Sequence, residues 1–213
     1  TATITVNEPA AVDKWTATNK TIDLTVNTVG VDQTVNFADL FTAVDGAIIK
    51  TAEVTVTGGT YADGVITVPG VAGAYTVTVT DNFYCNPVTA TITVNDAANV
   101  DKFAGKAVTL THTIETIDGG KVTAGLTDLF NAIGPVIMSQ DVTVTVEGAT
   151  VNKVASDWTQ TTVDFTTPGE YTVTITDNYY CNIATATVTV KEPANVDKWT
   201  ATNKTIDLTV NTV

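Results

Sequence analysis

The chain has 213 residues, a formal net charge of −13 and a sequence pI near 4.1, and its ten lysines are scattered without a basic stripe, which argues against nucleic acid or anionic lipid as a partner. More than one residue in five is threonine, arginine is absent and serine occurs twice, a balance that favours strands over helices. No run reaches the roughly 18 apolar residues of a membrane-spanning helix; a strand pattern starts at Thr1 with no leader in front of it, so any targeting or anchoring segment is expected outside these residues, and no direct membrane insertion within them.

In chain order, residues 1–9 read as the last strand of a preceding repeat, 10–95 as a first domain, 96–191 as a second, and 192–213 as the start of a third that copies the first. Residues 1–29 return almost unchanged as 185–213, and a diverged copy begins at Thr89. The starts at Asp13, Asp101 and Asp197 are spaced by 88 and then 96 residues, so two domain types alternate and a two-domain unit has been duplicated. The two end segments are either the edges of a longer polypeptide or strands donated to a neighbouring molecule.

Strict alternation predicts the strands. Tyr75, Val77 and Val79 alternate with Thr76, Thr78 and Thr80, and Ala90, Ile92 and Val94 with Thr89, Thr91 and Thr93, so each strand buries one face and presents threonine on the other. Further strands are expected at residues 21–27, 52–58 and 64–68, with turns at Gly58-Gly59 and Pro69-Gly70. Residues 37–44 and 126–133 share an Asp-Leu-Phe core and are expected to form one helical turn or an irregular crossover. About seven short strands per domain predict an all-β fold of tandem Greek-key sandwiches. If the final, uncharged strand of each domain lies at a sheet edge, it invites lateral association.

Pro168-Gly169-Glu170-Tyr171, followed by Thr-Val-Thr-Ile-Thr-Asp, a loop, and Thr-Ala-Thr-Val-Thr-Val, resembles the last two strands of the immunoglobulin-like repeats in large bacterial and archaeal surface proteins, including the polycystic-kidney-disease-type and bacterial Ig-like families. Gly73-Ala74-Tyr75 is the first domain's counterpart. The Trp-Asp-Phe-Gly-Asp-Gly signature of the polycystic-kidney-disease type is missing. The resemblance implies tandem immunoglobulin-like sandwiches in a secreted or cell-surface, mostly non-enzymatic module.

No catalytic residues are expected. His112 aligns with Leu24 and reads as a satisfied core or edge histidine rather than a base; Ser139 and Ser156 lie in no nucleophile elbow, and no phosphate loop or metal-spaced histidine pair occurs. Each domain holds one cysteine, Cys85 and Cys181, after an aromatic pair; each is either a half-buried thiol or a contact to another chain or the adjacent domain. Acidic residues gather near the junctions, at Asp96, Asp101, Glu192 and Asp197, with Asp81 and Asp177 at the cysteine loops. They read as solvated acids, with interdomain calcium as the alternative and no other cofactor.

Asn19 and Asn203 head glycosylation tripeptides. Lys14, Lys102 and Lys198 recur at each domain start, where some Gram-positive pilus domains join a lysine covalently to an asparagine. Asp13, Trp15, Asp96, Asp101, Phe103, Asp197 and Trp199 are expected to set the interdomain junctions, the aromatic three alternatively plugging their own cores. The functional expectation is a non-enzymatic structural protein of the cell surface whose partners are other copies of itself, forming a filament, sheath or stalk. The alternative is an adhesin stalk or a glycan-binding module using Phe83, Tyr84, Tyr179 and Tyr180.

Overall fold

The structure, a computed structural model, describes residues 1–134, 136–139 and 141–206. The first set of strands comprises β1 (Trp15–Ala17), β2 (Lys20–Asp23), β3 (Gln33–Asn36), β4 (Phe41–Ala43), β5 (Ala52–Val56), β6 (Thr60–Ala62), β7 (Val65–Val68), β8 (Gly73–Asp81) and β9 (Val88–Asn95). They form a four-stranded sheet in the order β2-β9-β8-β5, a three-stranded sheet β3-β7-β6, and the pair β1-β4. Of the two alternatives for residues 37–44, a helical turn or an irregular crossover, the structure has the turn, α1 (Phe37–Leu40). This is the strand layout of an immunoglobulin-like sandwich.

The alternation places the core where the sequence puts it. Val77, Val79, Ala90, Ile92 and Val94 are at most 2% exposed, each worth up to about 1.5–3 kcal/mol of apolar burial for the larger side chains. On the opposite face Thr76 stands across from Thr91 and Thr78 across from Thr89, pairs of the kind that stabilise a sheet by about 0.2–1 kcal/mol. Tyr75, at the start of β8, donates its hydroxyl to the Val71 carbonyl at 2.8 Å, and Tyr171 does the same to Thr167 at 2.7 Å. This is the tyrosine corner of immunoglobulin-like folds. Gly58 lies in the left-handed region at φ +77°, and a Cβ on Gly70 would lie 2.1 Å from the Val31 carbonyl oxygen, which accounts for the two turns read from glycine.

The final strand is not an edge. β9 lies between β8 and β2, with β2 parallel to it in the register Lys20↔Ile92 and Ile22↔Val94, so the edge-association expectation fails. The charges sit instead on the outer strands: Lys20 and Asp23 on β2, Glu53 on β5. β2 also ends at Asp23 rather than running on to residue 27. The Thr28 hydroxyl accepts from the Thr25 N–H at 2.8 Å and lies 3.1 Å from the Thr25 carbonyl as donor, a side-chain bond that replaces the ladder with a turn.

The second set repeats the plan: β10 (Phe103–Gly105), β11 (Ala107–Thr111), β12 (Val122–Gly125), α2 (Leu126–Leu129), β13 (Phe130–Ala132), β14 (Val142–Thr145), β15 (Thr150–Asn152), β16 (Thr162–Phe165), β17 (Gly169–Asp177) and β18 (Ala184–Lys191). Its sheets are β11-β18-β17-β14, β12-β16-β15 and β10-β13. Most of the extra length of this repeat falls between β15 and β16, where a 3₁₀ turn (Trp158–Gln160) is capped by Asp157 accepting from the Thr159 N–H. By compactness the chain divides into two units, residues 1–103 with 132–143 and 176–184, and residues 104–131 with 144–175 and 185–213.

Candidate functional site: the lysine-aspartate pole

The strongest local construction lies where the chain enters each sandwich, and it occurs twice in the first compact unit. β8 ends at Asp81, whose carboxylate is excluded from solvent and accepts from the N–H groups of Lys50 at 2.7 Å, Thr51 at 2.9 Å and Phe83 at 2.7 Å. Lys14, its side chain 96% buried, completes the set with its ammonium at 3.2 Å. Burial by itself raises the pKa of Asp81, but the Thr51, Phe83 and Lys50 N–H groups and the Lys14 ammonium outweigh it and hold it at about 2. Lys102 and Asp177 repeat the arrangement with both side chains wholly buried. Asp177 accepts from Ser139 N–H at 2.9 Å and Tyr179 N–H at 2.9 Å, and Lys102 also donates to the Tyr179 carbonyl.

Each carboxylate therefore fastens three segments that are far apart in sequence: the opening segment, the loop before the fifth strand of the repeat, and the aromatic cysteine loop. Val12 and Val100 bridge to Cys85 and Cys181. Asn86 donates to Asp13 and Asn182 to Asp101, both at 2.9 Å. Tyr84 and Tyr180 are held at φ +50° and +48°, a conformation that bulky residues rarely adopt and that persists only where the surroundings impose it.

The sequence-derived site residues divide accordingly. Trp15 meets Phe37 edge to face at 5.5 Å and packs on the core of its own sandwich, and Phe103 is 3% exposed. Trp199 is 91% exposed. Asp13 and Asp101 pin the cysteine loops, while Asp96 accepts from the Tyr180 hydroxyl at 2.6 Å, which raises the tyrosine's pKa. Asp197 and Asn203 lie exposed in the segment after β18, and Asn19, exposed between β1 and β2, accepts from the Thr91 N–H at 2.8 Å.

Cys85 is half-buried and Cys181 buried, both as free thiols 3.2 Å from the carbonyl of the following asparagine. The group facing Lys14 and Lys102 is an aspartate, not the asparagine of the pilus comparison. Asp81 and Asp177 are inward partners of lysine, not solvated junction acids. Among the described residues no group of three or more His, Cys, Asp or Glu side chains converges as a metal site. His112 is 1% exposed; its Nδ1 lies 3.2 Å from the Thr116 hydroxyl, but its Nε2 has no partner among the described residues, so it is only half satisfied.

The aromatic loops do not form a flat platform. Phe83 meets Tyr84 at 69° and Tyr179 meets Tyr180 at 82°, and the Lys50 ammonium sits 3.9 Å from the centre of the Phe83 ring. Sequence reasoning missed the Lys-Asp pairing. Its signal was present in the joint recurrence of Lys14 with Asp81 and Lys102 with Asp177 at like positions of the two repeats.

No family model matches the chain, and no curated protein matches it significantly. Among solved structures, the titin Z1Z2 domains in complex with telethonin are similar at 14% identity and TM-score 0.42, covering 84% of this chain and 98% of that one. A three-Ig fragment of titin gives 9% and 0.32, covering 84% and 66%, so the chain spans about two thirds of that fragment. Domains 4 and 5 of the S-layer protein SbsC give 15% and 0.34, covering 86% and 100%.

Proposed function

We propose that the chain is a non-enzymatic structural module of the cell surface, in which immunoglobulin-like sandwiches (residues 10–95 and 96–191) are strung in tandem to build a filament, an envelope layer or a stalk. The observation that carries this reading is where the chain enters and leaves the first sandwich. It enters beside Cys85, before β9, and leaves beside Leu24, whose N–H donates to the Asn95 carbonyl at the end of β9 at 3.1 Å. Those points are separated by the length of an eight-residue strand, about 23 Å at 3.3 Å per residue. Each added copy therefore adds reach, and the lysine-aspartate pole fixes the direction in which the chain is received. The duplicated two-domain unit supports the same reading, since repeat arrays gain length by copying.

The test is electron microscopy of native material from the producing cells. Continuous fibres or sheets with the period of the two-domain unit are expected. Isolated stalks ending in a separate head would move the function to the head, and compact single particles would overturn the reading.

A further inference from the structure

We propose that the groove at Phe83 and Tyr84, on the pole of the first sandwich, and the turn at Ile114 and Ile117 of the second are the two halves of one joint. A first-type sandwich that follows a second-type one receives that turn on its aromatic pair. This deepens the structural reading above, by naming the partner of the pole, and rests on it.

The first compact unit contains such a joint in closed form. Val26 and Val29, in the turn after β2, share one apolar cluster with Val100, Val136, Tyr179 and Tyr180. Tyr179 donates its hydroxyl to the Val26 carbonyl at 3.5 Å, and Tyr180 donates to Asp96 at 2.6 Å. Ile114 and Ile117 stand where Val26 and Val29 do, in a turn closed the same way: the Thr25 N–H donates to the Thr28 hydroxyl and the Thr113 N–H to the Thr116 hydroxyl, both at 2.8 Å. Phe83 and Tyr84 stand where Tyr179 and Tyr180 do. Ala47 stands where Val136 does, each three residues after an N–H that donates to the carbonyl of the buried lysine, Val44 to Lys14 and Ile133 to Lys102.

The two halves share a part. Phe83 and Tyr84 line a groove of about 300 Å³ with Pro9, Ala10, Val12 and Lys14. Ile114 and Ile117 line one of about 220 Å³ with Pro193, Ala194, Val196 and Lys198. Those four positions are the same residues of the same opening segment, once before the first sandwich and once after the second. Joined through that segment, the two grooves supply everything the closed joint has: an apolar turn, the opening segment and an aromatic pair.

The side-chain sizes compensate. From the closed joint to the proposed one, the turn gains two carbons, one at each isoleucine, and the receiving side loses two where Ala47 replaces Val136. Apolar contacts pack to a nearly fixed density, so exchanges that conserve the summed volume are tolerated best. A valine turn set on the Ala47 pole would leave a gap, and an isoleucine turn set on the Val136 pole would be overfilled. The match therefore selects the order of the array, each sandwich type fitting the other and not itself. Phe83 also lacks the hydroxyl with which Tyr179 reaches Val26, so the proposed joint is the more apolar of the two.

The experiment is amide hydrogen exchange on the 213-residue chain and on the same chain extended by a further copy of residues 30–95, which gives the opening at Asp197 a first-type body. The Thr116 and Ile117 N–H groups both donate to the Thr113 carbonyl, as those of Thr28 and Val29 do to Thr25, so a difference in rate reads the cover over the turn and not the turn itself. On extension, Thr116 and Ile117 are expected to slow to the rates of Thr28 and Val29. Ala47→Val in the added body should return them to their unextended rates, and adding Ile114→Val with Ile117→Val, which rebuilds the closed joint's set, should slow them again. Unchanged rates beside a folded third sandwich would overturn the joint and leave the tandem-array reading, which microscopy judges separately, in place. A third body that fails to fold would overturn it too, because its sequence is that of the first sandwich and only the junction is new.

Discussion

Lys102 and Asp177 form an ion pair in which neither side chain reaches solvent, the ammonium lying 2.9 and 3.1 Å from the two carboxylate oxygens. Desolvating two charges is costly, and the pair persists because each member is saturated with further bonds, Asp177 by two N–H groups and Lys102 by the Tyr179 carbonyl. Lys102→Met leaves the carboxylate buried without its cation. It is expected to destabilise the second sandwich by about 3–5 kcal/mol, and the double substitution Lys102→Met with Asp177→Leu by less. Chemical denaturation of the three proteins checks this.

Acid should act through the carboxylates. Asp81 and Asp164 are both held at about 2, against 3.8 for an unperturbed aspartate. For Asp164 the chief causes are hydrogen bonds from Lys121 at 2.5 Å and from the Thr123 hydroxyl at 2.6 Å. A folded-state pKa below the unfolded one gives stability that is complete above 3.8 and is lost as pH falls through about 2. Melting temperature is therefore expected to be flat down to that upper value and to drop across the window below it. Asp164→Asn should lower the neutral-pH value and flatten part of the acid slope; an unchanged slope would show that other carboxylates dominate.

His112 occupies the position that Leu24 fills in the first sandwich, and its Nε2 is buried without a partner among the described residues. His112→Leu removes an unsatisfied polar atom at about constant volume. It is expected to raise stability by about 1–2 kcal/mol, readable as an increase in melting temperature.

The tyrosine corners should be separable from the core. Tyr75→Phe and Tyr171→Phe keep the ring and delete the hydroxyl bonds to Val71 and Thr167. Each is expected to cost about 0.5–1.5 kcal/mol. Hydrogen exchange should quicken at the start of β8 or β17 and stay unchanged at Ile92 and Val188.

The repeat, the two strongest strands and the inward face were legible in the residues alone. Period-two alternation around Val77 and Ile92 admits one pleated strand with one buried side, and both residues are fully buried. The turn helices at Phe37 and Leu126 were also legible, through the repeated Asp-Leu-Phe. The short strands β3, β4 and β6 were not, because three or four residues are too few for alternation to stand out, and β3 and β4 also depend on partners distant in sequence, β7 and β1.

Folding in three dimensions settled that β9 is an interior strand, since which strand closes a sheet is a matter of long-range pairing, here the parallel register of Lys20 with Ile92. It likewise decided that the repeated lysines meet aspartates 67 and 75 residues away. In the residues alone such pairing shows only as the joint recurrence of a lysine and an aspartate at like positions of the two repeats, which does not say that they touch. Burial, which gives those pairs their energetic weight, is a property of the assembled sandwich and not of the residues that form it.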